Sequence, residues 1–294
     1  MTVDHVAVMD QDGGLDEQVL KDRKERVRRY RKRLQAREVF VLPEVWDVAS
    51  ARLMADAGFD LIGISSVSLA WSLGMRPDER LSLQMLTELA CRIAGGMQVP
   101  VTADLEGAAN RSPEEISQAV GRVIGRGCVG VTIGDGGRGG AQGIVPIQEM
   151  TAVIRSAKAA ALEARVPAVI TARTEAFLLE PLQHSPFETA VERAEAYFAA
   201  GADCISVPGV QHVQIIERLS GVIDGPLCVT IGLTPAPDVK ALGNAGAACV
   251  ALGSSLFRSL LGTMRLKAEE LVAFGHFSHL DKAIPADELE NLLR

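Results

Sequence analysis

Eight short runs of apolar residues recur along the chain, and a segment with helical periodicity follows each run. The runs cover residues 39–42, 61–64, 99–103, 128–133, 167–172, 203–207, 226–230 and 248–252. Continuous apolar strands that alternate with helices predict a parallel sheet whose outer face is covered. Eight such units predict closure into an α/β fold of the (β/α)8 TIM-barrel type. An open doubly wound sheet is the alternative, but the first run lacks the glycine-rich turn of that fold.

The sequence also predicts where two of the helices begin and end. Ser112-Pro113-Glu114-Glu115 and Ser185-Pro186-Phe187-Glu188 each place an N-cap serine before a proline and an acidic first turn. Glycines at 125, 127 and 201 then predict where these two helices end. The sequence therefore predicts where these two helices begin and where they end.

Segments on both sides of the barrel predict additional helices. Residues 1–38 form a charged helical extension with ten lysines and arginines from Lys21 to Arg37, residues 39–274 form the catalytic barrel, and residues 275–294 form a C-terminal helical tail. We expect the basic helix to dock on the barrel or on a neighbouring subunit. A nucleic-acid partner is not expected, because interleaved aromatic residues are missing and the net charge is −7.

Composition excludes several other classes of protein. No apolar run approaches the roughly 18 residues of a membrane span, and residues 1–14 do not resemble a secretory signal, so we expect a cytoplasmic protein with no membrane partner. The five cysteines are widely spaced and form no CxxC motif. Neither a disulfide framework nor a zinc site is indicated.

Acidic residues follow two neighbouring strands of the predicted barrel. Asp104 and Glu106 come at the end of the third strand, and Asp135 follows the fourth. Catalytic groups of such barrels lie at the C-terminal ends of the strands, so we expect these carboxylates to share one mouth. An all-oxygen ligand set favours Mg²⁺ or Mn²⁺. The alternative is that one or more of them caps a helix.

Groups suited to an organic acid follow three other strands. Arg173 comes directly after the fifth strand, where its guanidinium could hold a substrate carboxylate in bidentate fashion. A structural ion pair with Glu175 or Glu106 is the alternative. Ser65, Ser66 and Val67 could bind the substrate through hydroxyl and backbone N–H groups, and we expect Trp46, after the first strand, to contact the substrate too.

The chain resembles the isocitrate lyase/phosphoenolpyruvate mutase superfamily, particularly its smaller bacterial members. The resemblance runs in order over about residues 38 to 260 and is carried by Leu42–Ala51, Ser65-Ser66 to Gly74, Pro77-Asp78, Ala103–Glu106, Gly130–Asp135, Ala172–Ala176 and Glu192–Asp203.

The resemblance implies a Mg²⁺-dependent lyase that cleaves a carbon–carbon bond beside a 2-oxo or 2-hydroxy acid through an enolate. Asp104 would be the direct metal ligand, with Glu106, Asp135 and Asp78 binding through water. Ser65, Ser66 and Arg173 would hold the substrate carboxylate. The resemblance also implies a homo-oligomer, a dimer or tetramer, in which C-terminal helices are exchanged between subunits.

Several positions depart from the family pattern. Gly134 replaces a usual glutamate, Ala108-Ala109-Asn110 replaces a Gly-Tyr-Gly turn, and Glu44 stands where asparagine is common. The Gly136–Gly140 stretch predicts a flexible lid, and it lacks the cysteine that serves as general acid in isocitrate and methylisocitrate lyases. Two alternatives stay open: an enzyme that acts on a carbon–phosphorus bond, as in phosphonopyruvate, and a non-catalytic ligand-binding barrel.

Overall fold

A computed structural model describes residues 16–36, 38–75, 81–107, 111–136, 143–178, 185–210, 212–232 and 236–294. Its strands are β1 (Phe40–Leu42), β2 (Glu44–Val45), β3 (Ile62–Ile64), β4 (Val101–Gly107), β5 (Cys128–Gly134), β6 (Val169–Arg173), β7 (Cys204–Pro208), β8 (Leu227–Thr230) and β9 (Cys249–Ala251). All neighbouring pairs are parallel, in the order β1-β9-β8-β7-β6-β5-β4-β3-β2. The predicted eight-stranded barrel is confirmed, with its first strand in two pieces.

Pro43 divides that first strand. Proline has no backbone N–H to donate, so it interrupts a sheet ladder. The strand pairs with β9 before the proline and with β3 after it. These two pairings join the ends of the sheet, because β1 and β2 are consecutive pieces of chain. The interruption also turns Glu44, the residue after Pro43, toward Gly63.

Helices cover the outside of the barrel and continue beyond it. They are α1 (Glu17–Gln35), α2 (Val48–Asp56), α3 (Ser66–Ser72), α4 (Leu83–Gly95), α5 (Pro113–Gly125), α6 (Ile147–Glu163), α7 (Pro186–Ala200), α8 (Val213–Val222), α9 (Val239–Asn244), α10 (Ser255–Phe274) and α11 (Ala286–Leu292). Ser112 and Ser185 cap α5 and α7 as expected, and Gly201 ends α7 with a φ of 107°. A 3-10 helix occupies Ser278–Lys282, between α10 and α11.

The basic helix α1 packs on the barrel at the N-terminal ends of the strands. Arg23 donates to the carbonyl oxygens of Ile124 and Gly125 at the end of α5. Arg31 and Lys158 both bond to Asp203, which lies before β7. Burial would raise the pKa of Asp203, but the bonds from Arg31, Ile170 and Lys158 lower it overall. Helix α1 thus uses part of its positive charge to attach to the barrel.

The C-terminal helices leave many apolar side chains exposed. Phe257 is the buried residue of α10, a helix of 20 residues. Leu260, Met264 and Leu266 of α10 are more than half exposed. Exposed apolar area of this kind marks a contact surface in many proteins. In the described part of the chain, no helix combines the length and apolarity that a membrane crossing requires.

Candidate active site

A cavity of about 320 Å³ opens at the C-terminal ends of the strands and continues into the barrel. Its ionisable wall consists of Glu44, Asp104, Arg173 and Glu175, together with the buried residues Tyr30, Cys204, Cys228 and Cys249 deeper in the barrel. Hydroxyl groups of serine and threonine contribute much of the remaining wall. The cavity lies on the face where barrels of this type carry their active sites.

Asp104 lies in the cavity wall and accepts three hydrogen bonds. Its Oδ1 is 2.8 Å from Nη1 of Arg173 and also accepts the backbone N–H of Glu106 at 2.9 Å. Its Oδ2 accepts the hydroxyl of Ser66 at 2.8 Å. Three predicted site residues therefore meet: Asp104, Arg173 and Ser66.

The guanidinium of Arg173 lies between two carboxylates. Its Nη1 bonds to Asp104, and its Nη2 is 3.4 Å from Oε1 of Glu175. Burial alone would lower the pKa of Arg173, but the charges of Asp104, Glu175 and Glu106 outweigh burial and raise it. The side chain therefore stays charged. The ion pair with Glu175 that the sequence offered as one alternative is present, and Arg173 also lines the cavity, where binding of a substrate carboxylate stays a prediction.

Gly134 provides the space that this guanidinium fills. A β-carbon at position 134 would lie 2.7 Å from Nη2 of Arg173 and 3.0 Å from Nε. The resemblance to the family led us to expect a glutamate at this position. The glycine instead leaves space for the guanidinium of Arg173. Position 134 therefore carries no carboxylate, and the guanidinium of Arg173 lies across it.

Ser65, Ser66 and Val67 all line the cavity at the start of α3. Ser65 caps the helix by accepting the N–H of Ser68. The first N–H groups of a helix have no helical acceptor, so those of Ser66 and Val67 can bind an anionic oxygen. The structure thus brings the three predicted residues to one wall.

Glu106 lies beside this cluster but does not line the cavity. Its side chain is buried and its φ is 63°, a rare conformation for a residue other than glycine. The pairing of β4 with β5 shifts register between Asp104 and Gly107, so the strand no longer alternates regularly here. Because of this irregularity, the spacing of two does not place Glu106 next to Asp104 in the cavity wall.

Asp135 points away from the cavity and into a buried network. Its Oδ1 accepts the backbone N–H of Glu175 at 2.9 Å. Its Oδ2 accepts Nη1 of Arg193 at 3.0 Å and the hydroxyl of Tyr197 at 2.7 Å. Burial and the charge of Asp135 raise the pKa of Tyr197. The structure therefore does not bring Asp135 together with Asp104, and Asp135 instead fixes the backbone at Glu175.

Trp46 also lies outside the cavity wall. Its ring packs edge-on against Phe257 of α10 at 5.1 Å between centroids, in an adjoining apolar groove. Trp71 of α3 lines the cavity instead. The chain turns into α2 directly after β2, and this turn carries Trp46 outward. Trp71, and not Trp46, is therefore the tryptophan that faces the cavity.

Glu44 lines the cavity although its sequence context did not mark it as a site residue. The backbone N–H of Gly253 donates to its Oε2 at 2.5 Å. Burial and then the charge of Asp104 raise the pKa of Glu44 to about 7, against the lowering effects of the Gly253 N–H and of Arg173. A signal was available, because Glu44 is two residues after the barrel residue Leu42 and strands alternate their faces.

The donor set agrees with a hard divalent cation. Across the described ranges, no three acidic, histidine or cysteine side chains converge closely enough to form a metal cage by themselves. Mg²⁺, however, is usually held by one or two carboxylates, with water and substrate completing the shell. Three carboxylates and one guanidinium in the cavity wall leave a formal charge of −2 for such an ion to balance. Asp78 and residues 137–140 of the expected lid lie outside the described residues.

Known proteins are similar to this chain in sequence and in fold. A profile of the phosphoenolpyruvate phosphomutase family matches residues 31–272. Oxaloacetate decarboxylase of Chromohalobacter salexigens is 34% identical over 239 residues, which are 78% of this chain and 79% of that protein.

Solved structures agree with these sequence matches. A lyase or mutase structure from Burkholderia cenocepacia has a TM-score of 0.83 at 25% identity and covers 92% of this chain and 95% of its own. Phosphonopyruvate hydrolase with oxalate and Mg²⁺ has the same fold, with a TM-score of 0.78 at 23% identity over 91% of this chain and 94% of its own. The chain therefore belongs to the isocitrate lyase/phosphoenolpyruvate mutase superfamily, whose members are carbon–carbon lyases or mutases.

Proposed function

We propose that this protein is a Mg²⁺-dependent lyase that cleaves a carbon–carbon bond next to a 2-oxo or 2-hydroxy carboxylate. The reaction would be a decarboxylation or a retro-aldol cleavage. One observation carries the proposal: Arg173, Asp104 and Ser66 are joined by bonds of 2.8 Å in the wall of the barrel cavity. A fixed guanidinium beside a carboxylate can bind an organic acid and a cation at adjacent points.

Asp104 would hold the metal ion directly, and Glu106, which lies beside the cavity wall close enough for its charge to act on Arg173, would hold it through water. Asp78 stays in the proposed set as a further water-mediated ligand. Asp135 is not included, because it is fully buried, does not line the cavity and points into the network with Arg193 and Tyr197, whereas Asp104 lines the cavity. Bound Mg²⁺ would supply a Lewis acid that stabilises the enolate formed when the bond breaks, and Mn²⁺ could replace it.

Arg173 would orient the substrate by its carboxylate. A guanidinium has five N–H donors, and the contacts with Asp104 and Glu175 occupy two of its nitrogens. The remaining N–H groups can bind a carboxylate of the substrate in bidentate fashion. The N–H groups of Ser66 and Val67, which bond to no acceptor among the described residues, would hold another oxygen of the same acid. The small carboxylic acid is thus fixed at one end, with its reactive carbon in the cavity.

A carbon–phosphorus reaction is the second candidate. The match to the phosphoenolpyruvate phosphomutase profile over residues 31–272 favours it. Phosphonopyruvate would then replace the dicarboxylic or hydroxylated substrate. We place this candidate second, because in the described residues Arg173 is the one cationic side chain in the cavity wall.

The test is release of pyruvate from oxaloacetate, other 2-oxo acids and phosphonopyruvate, with and without Mg²⁺. We expect one of the carbon-bonded acids to be cleaved only with metal, and Asp104→Ala to lower kcat at least about 100-fold with an unchanged circular dichroism spectrum. Asp60→Asn, an exposed carboxylate paired with Arg33 outside the cavity, is the matched control and should keep full activity. Unchanged turnover in Asp104→Ala would refute the assignment of the site.

We also propose that the protein is a homo-oligomer, a dimer or a tetramer. The exposed apolar residues of α10 support this, since the helix extends well past the barrel with Leu260, Met264 and Leu266 uncovered. A second copy would cover these side chains. Light scattering after size-exclusion chromatography measures the mass, and a monomer at micromolar concentration would refute the proposal.

A further inference from the structure

Glu44 places a carboxylate in the cavity wall opposite the proposed substrate clamp. It begins β2, which belongs to the first strand of the barrel, whereas Arg173 ends β6, the fifth strand. Three strands separate the two residues in either direction around the sheet. An acid held by Arg173 therefore extends its other end across the mouth, toward Glu44.

The neighbouring backbone makes room for this side chain. Glu44 pairs with Gly63, and a β-carbon at position 63 would lie 2.7 Å from Cγ of Glu44. Glycine at this position allows the glutamate to lie inside the barrel. Gly253 then fixes one carboxylate oxygen through its backbone N–H. Within the described residues no donor contacts Oε1, so this oxygen can accept a hydrogen bond from a ligand.

Charge in the cavity works against a second negative group on the substrate. The wall carries Glu44, Asp104 and Glu175 against one guanidinium, and that guanidinium already contacts two of the carboxylates. One divalent cation would neutralise the wall, so a monocarboxylate would leave one negative charge and a dicarboxylate would leave two. Like charges placed together are strongly unfavourable in a site with little water.

We propose that Glu44 is a specificity-determining residue that selects a monocarboxylic 2-oxo acid with a hydroxyl group near the bond to be cleaved, over a dicarboxylic acid such as oxaloacetate. The hydroxyl would donate to Oε1, whereas a second carboxylate would be repelled. This inference rests on the proposed lyase function and names its substrate class. Asp104, Arg173, the N–H of Gly253 and Cys249 are the groups that act on Glu44, and a pKa near 7 keeps part of its charge at neutral pH.

Two acids with four carbons test the inference directly. Both 4-hydroxy-2-oxobutanoate and oxaloacetate release pyruvate on cleavage, so one coupled assay measures kcat/KM for both after subtraction of the rate without enzyme. We expect the protein to prefer the hydroxy acid, or a longer homologue of it, at least about 10-fold. Glu44→Gln should lower this preference at least about 10-fold, because it keeps the shape of the side chain and removes the charge.

Glu175→Gln is the matched control, since it removes a carboxylate from the same wall on the side of Arg173. It should lower the preference much less than Glu44→Gln does, because Glu175 lies at the Arg173 end of the cavity, where both acids carry the same carboxylate. Circular dichroism verifies folding, and Glu44→Asn provides a second variant if Glu44→Gln does not fold. A preference for oxaloacetate, or an unchanged ratio in both Glu44 variants, would overturn this inference and leave the lyase proposal intact. Absence of pyruvate from every acid would overturn both.

Discussion

Glu44→Gln should stabilise the protein, and only at high pH. In the folded protein the pKa of Glu44 rises from its ordinary 4.5 to about 7, chiefly through burial and then through Asp104. Between these pH values the folded state keeps a proton that the unfolded state has lost. Stability therefore decreases as the pH rises from 4.5 to 7, and the decrease is complete above 7.

The size of this effect follows from the pKa. A rise from 4.5 to about 7 corresponds to at most about 3 kcal/mol of folding free energy lost at pH 8.5. Because Glu44 is only partly buried, we expect about 2 kcal/mol. Glutamine cannot ionise, and its amide oxygen can still accept the N–H of Gly253. The variant should therefore melt about 3 to 6 °C higher than the wild type at pH 8.5.

Thermal melts at pH 8.5 and pH 5 check this prediction. At pH 5 the folded wild type carries a protonated Glu44, so the two proteins should melt within about 1 °C of each other. Glu38→Gln is the control, since it removes an exposed carboxylate outside the cavity and should shift neither melt. No gain at pH 8.5, or an equal gain at both pH values, would refute the reasoning about this carboxylate.

Three further variants test other parts of the account. Gly134→Ala puts a methyl group 2.7 Å from Nη2 of Arg173, so KM for the acid should rise at least about 10-fold while the melting temperature stays near that of the wild type; an unchanged KM would contradict the clamp. Asp135→Asn removes the carboxylate charge that pairs with the buried Arg193, which keeps its bond to Tyr197, and should cost about 3 kcal/mol of stability in urea titrations; a loss below about 1 kcal/mol would show that the network matters little. Met264→Lys in α10 should lower the mass measured by light scattering, and an unchanged oligomer would locate the interface elsewhere.

The barrel was predictable because its signals are local and repeated. Each apolar run predicts a strand and each capped segment predicts a helix, and the order of the strands around the barrel follows from their order in the chain. The split at Pro43 could also be anticipated from the missing N–H of proline. Sequence reasoning therefore placed Asp104, Arg173 and Ser66 at the mouth of the barrel, but it did not anticipate that Arg173 and Ser66 bond directly to Asp104.

Side-chain direction at the strand ends was harder to predict. Alternation would have placed Gly134 inside the barrel and turned Asp135 outward, as the contacts with Arg193 and Tyr197 show. The same rule failed at Glu106, because the irregular pairing after Asp104 ends the alternation. The direction of the Trp46 side chain depends on its packing against Phe257, which belongs to a helix some 200 residues away. No local sequence signal reports such a contact.

Binding of the metal ion tests the central claim most directly. Calorimetric titration of Mg²⁺ into the protein with oxalate present, as a mimic of the enolate, measures whether the Asp104 wall and Arg173 hold a cation and an acid together. We expect saturable binding in the wild type, at least about 10-fold weaker binding without oxalate, and no measurable binding in Asp104→Asn. Absence of Mg²⁺ and Mn²⁺ binding in the wild type with oxalate, or equal binding in Asp104→Asn, would contradict the account.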